Sequence, residues 1–396
     1  MTPTCEIAID ITARLLERNA IFEEFFNRRA HSLAEACKEM ASRFLNGGRL
    51  LAFGQGPYAT DAQHVSVEFV HPIIVGKRAL PALDISLAFR PWLQAILRPE
   101  DIVMGFGPPT GDPEVAGALA EARQRGAMTF ELPGHGGSWS FEPPSQNSFI
   151  HQELIEILYH TLWETVHVFL EHREMGYDVG DSGFLYPYLG SSAGKKNDDT
   201  PEVIDEVTES IRTKARDDAD LRTRLAHEQS DRIVDAARAI HQRVQRGGKL
   251  IMFGNGGSAT DANDFAIDCV LPPSGFRPVP AISLSLEPAN LTAIANDVGT
   301  DLIFLRQLIA QARSEDIAVG ISTSGGSRNI IMALEEATKR GMLTVALLGC
   351  DGGEILRRGI ADFPIVVRSD YIPRIQEVQA STYHLIRETL EVFAHA

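Results

Sequence analysis

Short, unbroken apolar runs alternate along the chain with long stretches in which apolar residues recur at helical spacing. The runs in RLLAFG, EDIVMGFG (100–107) and RGAMTFELPG (125–134), and later in KLIMFG, EDIAVGIS (315–322) and RGMLTVALLG (340–349), are flanked by glycine. They predict strands of a parallel sheet buried on both faces. Amphipathic patterns at 8–45, 149–173, 202–246 and 374–394 predict long helices beside the sheets. The predicted order is helix, strand, helix, strand, strand, helix, strand and a long final helix, twice over. This alternation predicts an α/β protein, each copy a doubly wound parallel sheet flanked by helices.

The duplication is explicit. FLNGGRLLAFGQGPYATDAQ, from Phe44 to Gln63, aligns without a gap to VQRGGKLIMFGNGGSATDAN, from Val244 to Asn263. The run Ala59-Thr60-Asp61-Ala62 is identical to Ala259-Thr260-Asp261-Ala262. ALPALDISL near 80–88 parallels PVPAISLSL near 278–286, and HQELIEILYH, ending at His160, parallels IQEVQASTYH, ending at His384. The expected domains are 1–175 and 201–396. Between them GYDVGDSGFLYPYLGSSAGKKNDDT (176–200) lacks helical periodicity and reads as a linker, or, given Phe184, Tyr186 and Tyr188, as an ordered loop packed between the copies.

Composition narrows the function. A chain of 396 residues, 44% hydrophobic and 23% charged, has the balance of a globular protein with room for two cores. A net charge of −16 argues against a nucleic-acid partner but leaves room for a phosphorylated small molecule in a local pocket of N–H donors. Cys5, Cys37, Cys269 and Cys350 include no CxxC pair and are expected to be reduced. No apolar run reaches membrane-spanning length and MTPTCEIAID is not a signal-peptide pattern, so the expected compartment is the cytosol, with no membrane partner.

Two loops of the second copy suit an anion. GISTSGGS (Gly320–Ser327) follows a strand and precedes a helix; its hydroxyls on Ser322, Thr323, Ser324 and Ser327, its glycines and the helix start converge donors on one point. The same features also describe an ordinary helix-capping loop. FGNGGSATDA (Phe253–Ala262) brings backbone close to a ligand but lacks the dinucleotide GxGxxG spacing. In the first copy the counterpart is GFGPPTGD (Gly105–Asp112), where Pro108 and Pro109 remove donors and Asp112 adds negative charge, so phosphate binding is expected to be lost there.

His64 and Glu68 lie four apart on a predicted helix and share a face, as two metal ligands, an acid–base pair or a surface pair would. Their counterparts are Asp264 and Asp268. On the final helices Gln152 and His160, and Gln376 and His384, are each eight residues apart, which suits sites shared with another copy or simple packing contacts.

NGGSATDANDF, ISTSGGS, the Asn296-Asp297 pair and RIQEVQASTYH together resemble the phosphoheptose isomerases, sugar isomerase (SIS) domain enzymes that convert sedoheptulose 7-phosphate to a heptose 7-phosphate. The resemblance covers nearly all of the second copy and, more weakly, most of the first, making the chain two tandem SIS domains. It implies substrate contacts at Asn255, Gly256, Gly257, Asn296, Asp297, Ser322, Thr323, Ser324, Ser327 and Gln376. It implies Zn²⁺ ligands at His64, Glu68, Gln152 and His160, matched in the second copy by Asp264, Asp268, Gln376 and His384, and catalytic roles for Glu68, His160 and His384. The family's homotetramers imply a homodimer here, a pseudo-tetramer of SIS domains with composite sites. The first copy keeps the metal quartet and the second keeps the phosphate loop. The rival readings are a sugar-phosphate-binding regulatory or scaffold protein and an isomerase of another ketose phosphate.

Overall fold

Burying both faces of a parallel sheet favours apolar side chains along its strands, and the central strands are mostly apolar, with Thr129, Glu131, Ser322 and Thr344 as buried polar exceptions. Leu50–Gly54 (β1), Ile102–Phe106 (β3) and Met128–Leu132 (β4) are buried throughout, as are Leu250–Phe253 (β6), Ile317–Ser322 (β8) and Leu343–Gly349 (β9). The structure is a computed structural model that describes residues 3–72, 77–134, 136–175 and 201–395. Ala82–Asp84 (β2) and Trp139–Ser140 (β5) complete one five-stranded sheet, ordered β2-β1-β3-β4-β5. Ala281–Ser283 (β7) and Phe363–Val367 (β10) complete the other, in the matching order β7-β6-β8-β9-β10. Every described strand pairing is parallel.

Successive side chains of each strand enter opposite cores. Leu50 and Ala52 join the core beneath Ala59–Val70 (α2) and Ser148–Met175 (α5), whereas Leu51 and Phe53 join the one under Phe89–Ile96 (α3) and Pro113–Gln124 (α4). In the second sheet Leu250 and Met252 pack with Gly257–Val270 (α7) and Ile372–His395 (α12), while Ile251 and Phe253 pack with Ile303–Gln311 (α9) and Arg328–Lys339 (α10). Each sheet is thus doubly wound, with helices on both faces.

Three kinds of element depart from the predicted order. Between the second and third strands the first copy inserts α3 and the second inserts Pro288–Val298 (α8) and α9. After β9 comes the short helix Gly353–Arg357 (α11). A fifth strand, β5 or β10, ends each sheet. These pieces are too short for a hydrophobic period to mark them.

Contacts group the chain into a first unit, Arg18–Ala219, and a second, Met1–Glu17 with Asp220–Ala396. The division passes through the two longest helices, Pro3–Leu45 (α1) and Pro201–Gln245 (α6). Ile11 and Leu15 belong to the core of the second unit; Val203, Val207, Ile211 and Ala215 belong to that of the first. A repeat reports which segments are alike, not which pack together, so the sequence places its boundaries at 175 and 201 instead. The stretch 176–200, read as linker or ordered loop, lies outside the described residues. No described helix is long and apolar enough to cross a membrane.

Inside the first unit, Arg18 Nε lies 3.0 Å from both carboxylate oxygens of Glu153 on α5, and both side chains are buried. Arg18→Ala leaves that carboxylate buried without its cation, and is expected to cost about 3–5 kcal/mol in urea denaturation of the first unit.

Candidate functional site

In the second unit β6 and β8 are neighbours, yet their chains leave on opposite faces, α7 onto one core and α10 onto the other. Such a switch point opens a crevice at the carboxyl ends of the strands, where ligands of open α/β sheets bind. The two loops singled out from sequence both line it. Ser322 Oγ accepts from the Gly325 N–H at 3.1 Å and lies 3.3 Å from Ser327 Oγ, while Ser324 Oγ accepts from the Gly326 N–H at 3.2 Å. Gly325 has φ +61°, and a Cβ there would stand 2.2 Å from the Gly352 carbonyl oxygen, so only glycine fits. Ser327 is the N-cap of α10 but makes no side-chain cap bond, which leaves the helix start facing the loop.

Asn255 and Asn329 exchange amide hydrogen bonds of 3.0 and 2.9 Å and tie the loops together. Gly256, at φ +57°, turns the chain into α7 at Gly257. Asn296 and Asp297 are exposed on α8, joined by a 2.9 Å bond, and the turn that follows is anchored to α10 by the Arg328–Asp301 ion pair.

The corresponding point of the first unit is filled by the protein itself. Asp112 replaces Ser327, and its Oδ1 accepts from the Glu114 and Val115 N–H groups at 2.8 and 3.1 Å. The carboxylate sits where an anionic ligand would, and Pro108, Pro109 and Pro113 offer no N–H. His151 Nε2 is 3.0 Å from the Gly107 carbonyl, and burial pushes its imidazole down to about 4.

A second cluster forms where α2 meets α5. The His64 and His160 rings meet edge to face, 5.2 Å between centroids, with the Tyr159 ring 4.9 Å from His64 and tilted by 50°. Burial, then the neighbouring His160, hold His64 well below its usual pKa, so its imidazole is neutral and able to bind a metal. Glu68 Oε1 stands 3.8 Å from His64 Nε2, and Glu68 Oε2 has no hydrogen-bond partner among the described residues. Burial and the nearby Glu164 carboxylate push Glu68 up to about 8; Glu164 in turn is paired with Lys214 at 2.6 Å. Gln152 lies instead towards the start of α2, its amide 3.5 Å from Pro57 O and Asp61 Oδ2.

In the second unit Asp264, Asp268 and His384 come together in the same way. His384 Nε2 is 3.0 Å from Asp268 and 3.7 Å from Asp264, and Tyr383 donates to Asp264 at 2.7 Å. Burial and the Asp264 charge raise the Asp268 pKa, opposed by His384 and Arg387. Gln376 is buried on α12.

Sequence reasoning missed five residues. Glu156 places a donor within 4.8 Å of those of His64 and His160, and its signal was visible: it precedes His160 by four, as His64 precedes Glu68. Tyr159 and Tyr383 precede the histidine in both copies. Glu164 and Lys214 carried no sequence signal, because one is on α5 and the other on α6. Nitrogen and oxygen donors, a neutral imidazole and near-complete burial in the first unit fit a Zn²⁺ ion.

Two measurements check this geometry. Gly325→Ala forces an alanine into the left-handed region against the Gly352 carbonyl, so its melting temperature should fall by several degrees in calorimetry. Because folding raises the Glu68 pKa from its ordinary 4.5 to about 8, the metal-free folded protein keeps a proton that the unfolded chain releases. That stabilisation is complete below pH 4.5 and is lost as pH rises through 8, on the order of several kcal/mol. Urea melts of Glu68→Gln should therefore show its stability rising relative to wild type between pH 5 and 8.5 (roughly the window set by the two pKa values).

Residues 216–349 match the SIS domain family. A phosphoheptose isomerase from Geobacter sp. (strain M21) is 42% identical over 189 residues, covering 47% of this chain and 96% of the relative. That of Thermodesulfovibrio yellowstonii is 38% identical over 187 residues, covering 47% and 92%. Among solved structures, tagatose-6-phosphate ketose/aldose isomerase from Escherichia coli covers 96% of this chain and 94% of its own, with a TM-score of 0.57 and 13% identity. The C-terminal domain of glucosamine-fructose-6-phosphate aminotransferase from Francisella tularensis covers 96% of each chain, with a TM-score of 0.59 and 10% identity. Those two likenesses concern the fold, two SIS-like units in one chain. Since a whole phosphoheptose isomerase matches only about half of these residues, the chain belongs to the phosphoheptose isomerase family of SIS-domain proteins in a tandem, two-copy form.

Proposed function

We propose that the chain interconverts sedoheptulose 7-phosphate and a D-glycero-heptose 7-phosphate through an enediol. The observation that carries this reading is Glu68, a buried carboxyl 3.8 Å from the His64 imidazole whose pKa burial and Glu164 push up to about 8. A group poised in that range exchanges protons near neutrality, as general acid–base catalysis requires. The family relationship, at about 40% identity, supports the isomerase class.

In this mechanism the loop from Ser322 to Ser327 and the start of α10 hold the phosphate, fixing the reacting carbons. Asn255, Gly256, Gly257, Asn296, Asp297 and Gln376 hold the sugar. Ionised Glu68 removes the proton from C1 of the ketose and returns it to C2, while His160 or His384 moves the proton between the two oxygens. His64 and His160, with Glu68 and Gln152 as the family's remaining positions, would hold a Zn²⁺ ion, whose positive charge would polarise the carbonyl. The copies divide the labour, the first supplying His64 and Glu68 and the second the phosphate loop, in a homodimer with four SIS domains. Support for this division comes from complementarity: the unit with the open helix start has aspartates at the metal positions, and the unit with the histidine pair caps its own helix with Asp112.

A binding-only protein is the second reading, favoured by the closed Asp268–His384 hydrogen bond and by that Asp112 cap. The two separate in D₂O. Incubated with sedoheptulose 7-phosphate and followed by NMR, an isomerase yields an aldoheptose phosphate with deuterium at C2. Glu68→Gln should slow it by about 10²–10⁴-fold. No conversion and no exchange, with or without Zn²⁺, supports the binding-only protein or another sugar phosphate.

A further inference from the structure

We propose that Glu156 is a metal ligand of this chain, joining His64 and His160 in a three-residue cation site and leaving Glu68 outside it. The inference rests on reading the first copy as the metal-bearing half. It begins from the spacing on α5, where Glu156 and His160 share a helix face one turn apart. His64 on α2 completes the set: one donor atom from each of the three lies within 4.8 Å of the others, and all three residues are buried. A tetrahedral ion bound at about 2.0–2.2 Å separates its ligands by about 3.4 Å, so small side-chain rotations close the site.

Charge favours the same set. Two imidazoles and one carboxylate leave a divalent ion with a single net positive charge. His₂Glu with an open fourth position is the donor set of catalytic zinc sites. Neither other candidate offers this. Gln152 turns its amide to Pro57 and Asp61, and Glu68, 3.8 Å from His64, does not join the set of donors that His64, Glu156 and His160 bring within 4.8 Å of one another. In the second copy the Glu156 position is Ala380, and the carboxylates come from Asp264 and Asp268 on α7 instead. The two units thus reach three-donor clusters by different routes. The assignment also resolves a chemical conflict, because a metal-bound carboxylate is a poor base; with Glu156 on the ion, Glu68 is free to move the proton.

The test uses the full chain, stripped with a chelator. Zn²⁺ affinity is measured by competition with a chromophoric chelator, and the site is probed through the visible spectrum of bound Co²⁺. Glu156→Gln is expected to abolish one equivalent of tightly bound Zn²⁺ per chain, a greater loss than the roughly 10–100-fold typical of a residue that only orients a ligand. Glu68→Gln should leave affinity and Co²⁺ spectrum unchanged. If Glu156→Gln fails to fold by circular dichroism, Glu156→Asp decides: a shifted Co²⁺ spectrum supports the ligand, and an unchanged one overturns it. Full affinity in folded Glu156→Gln, or its loss in Glu68→Gln, also overturns the assignment. A wild-type chain that binds no ion removes the site altogether, and isomerisation persisting in that sample leaves the isomerase reading standing.

Discussion

Two neighbouring parallel strands whose chains must leave on opposite faces of their sheet create the geometry on which the rest depends. At the carboxyl ends of β6 and β8 the backbone cannot stay paired, because α7 and α10 pack on different cores. The gap is lined by the first turns of helices and by loops short enough to need glycine at Gly256 and Gly325. Hydroxyls and backbone N–H groups therefore converge there, beside a helix start at which Ser327 makes no side-chain cap bond.

The same frame in the first unit reaches the opposite outcome through one side chain. Asp112 accepts from the Glu114 and Val115 N–H groups of α4, whereas its counterpart Ser327 makes no side-chain cap bond and the Ile330 N–H of α10 is taken by Asn329 Oδ1 at 2.9 Å. An internal carboxylate is always present at the helix start, so an external anion gains little there and meets like charge besides. The sheet order is the same in both units, while the loop (Asp112 against Ser327) and the helix faces (His64 and Glu68 against Asp264 and Asp268) differ.

Burial does the remaining chemical work. The His64–His160 pair lies in a dry seam between α2 and α5, where neither charge nor unpaired donors are cheap. Desolvation favours the neutral form of both groups, lowering the His64 pKa and raising that of Glu68 to about 8. In the second unit a hydrogen-bonded network of Tyr383, Asp264, Asp268 and His384 occupies the equivalent seam, richer in oxygen.

The sheet strands, the long helices and the two copies were legible in sequence because each writes a local period or a repeat. The serine–glycine loop was legible for the same reason: its donors are consecutive. His64 with Glu68, and Gln152 with His160, were visible as spacings within one helix. Which spacings meet was not visible. Glu156 joins His64 across about ninety residues, Lys214 finds Glu164 from a different helix, and α1 and α6 each serve two cores. The elements, the duplication and the serine–glycine loop were written in the sequence, since these follow from neighbours along the chain. Only the tertiary structure decided the cluster around His64, the cap at Asp112 and the protonation of Glu68, since these follow from contacts and desolvation that no local pattern encodes.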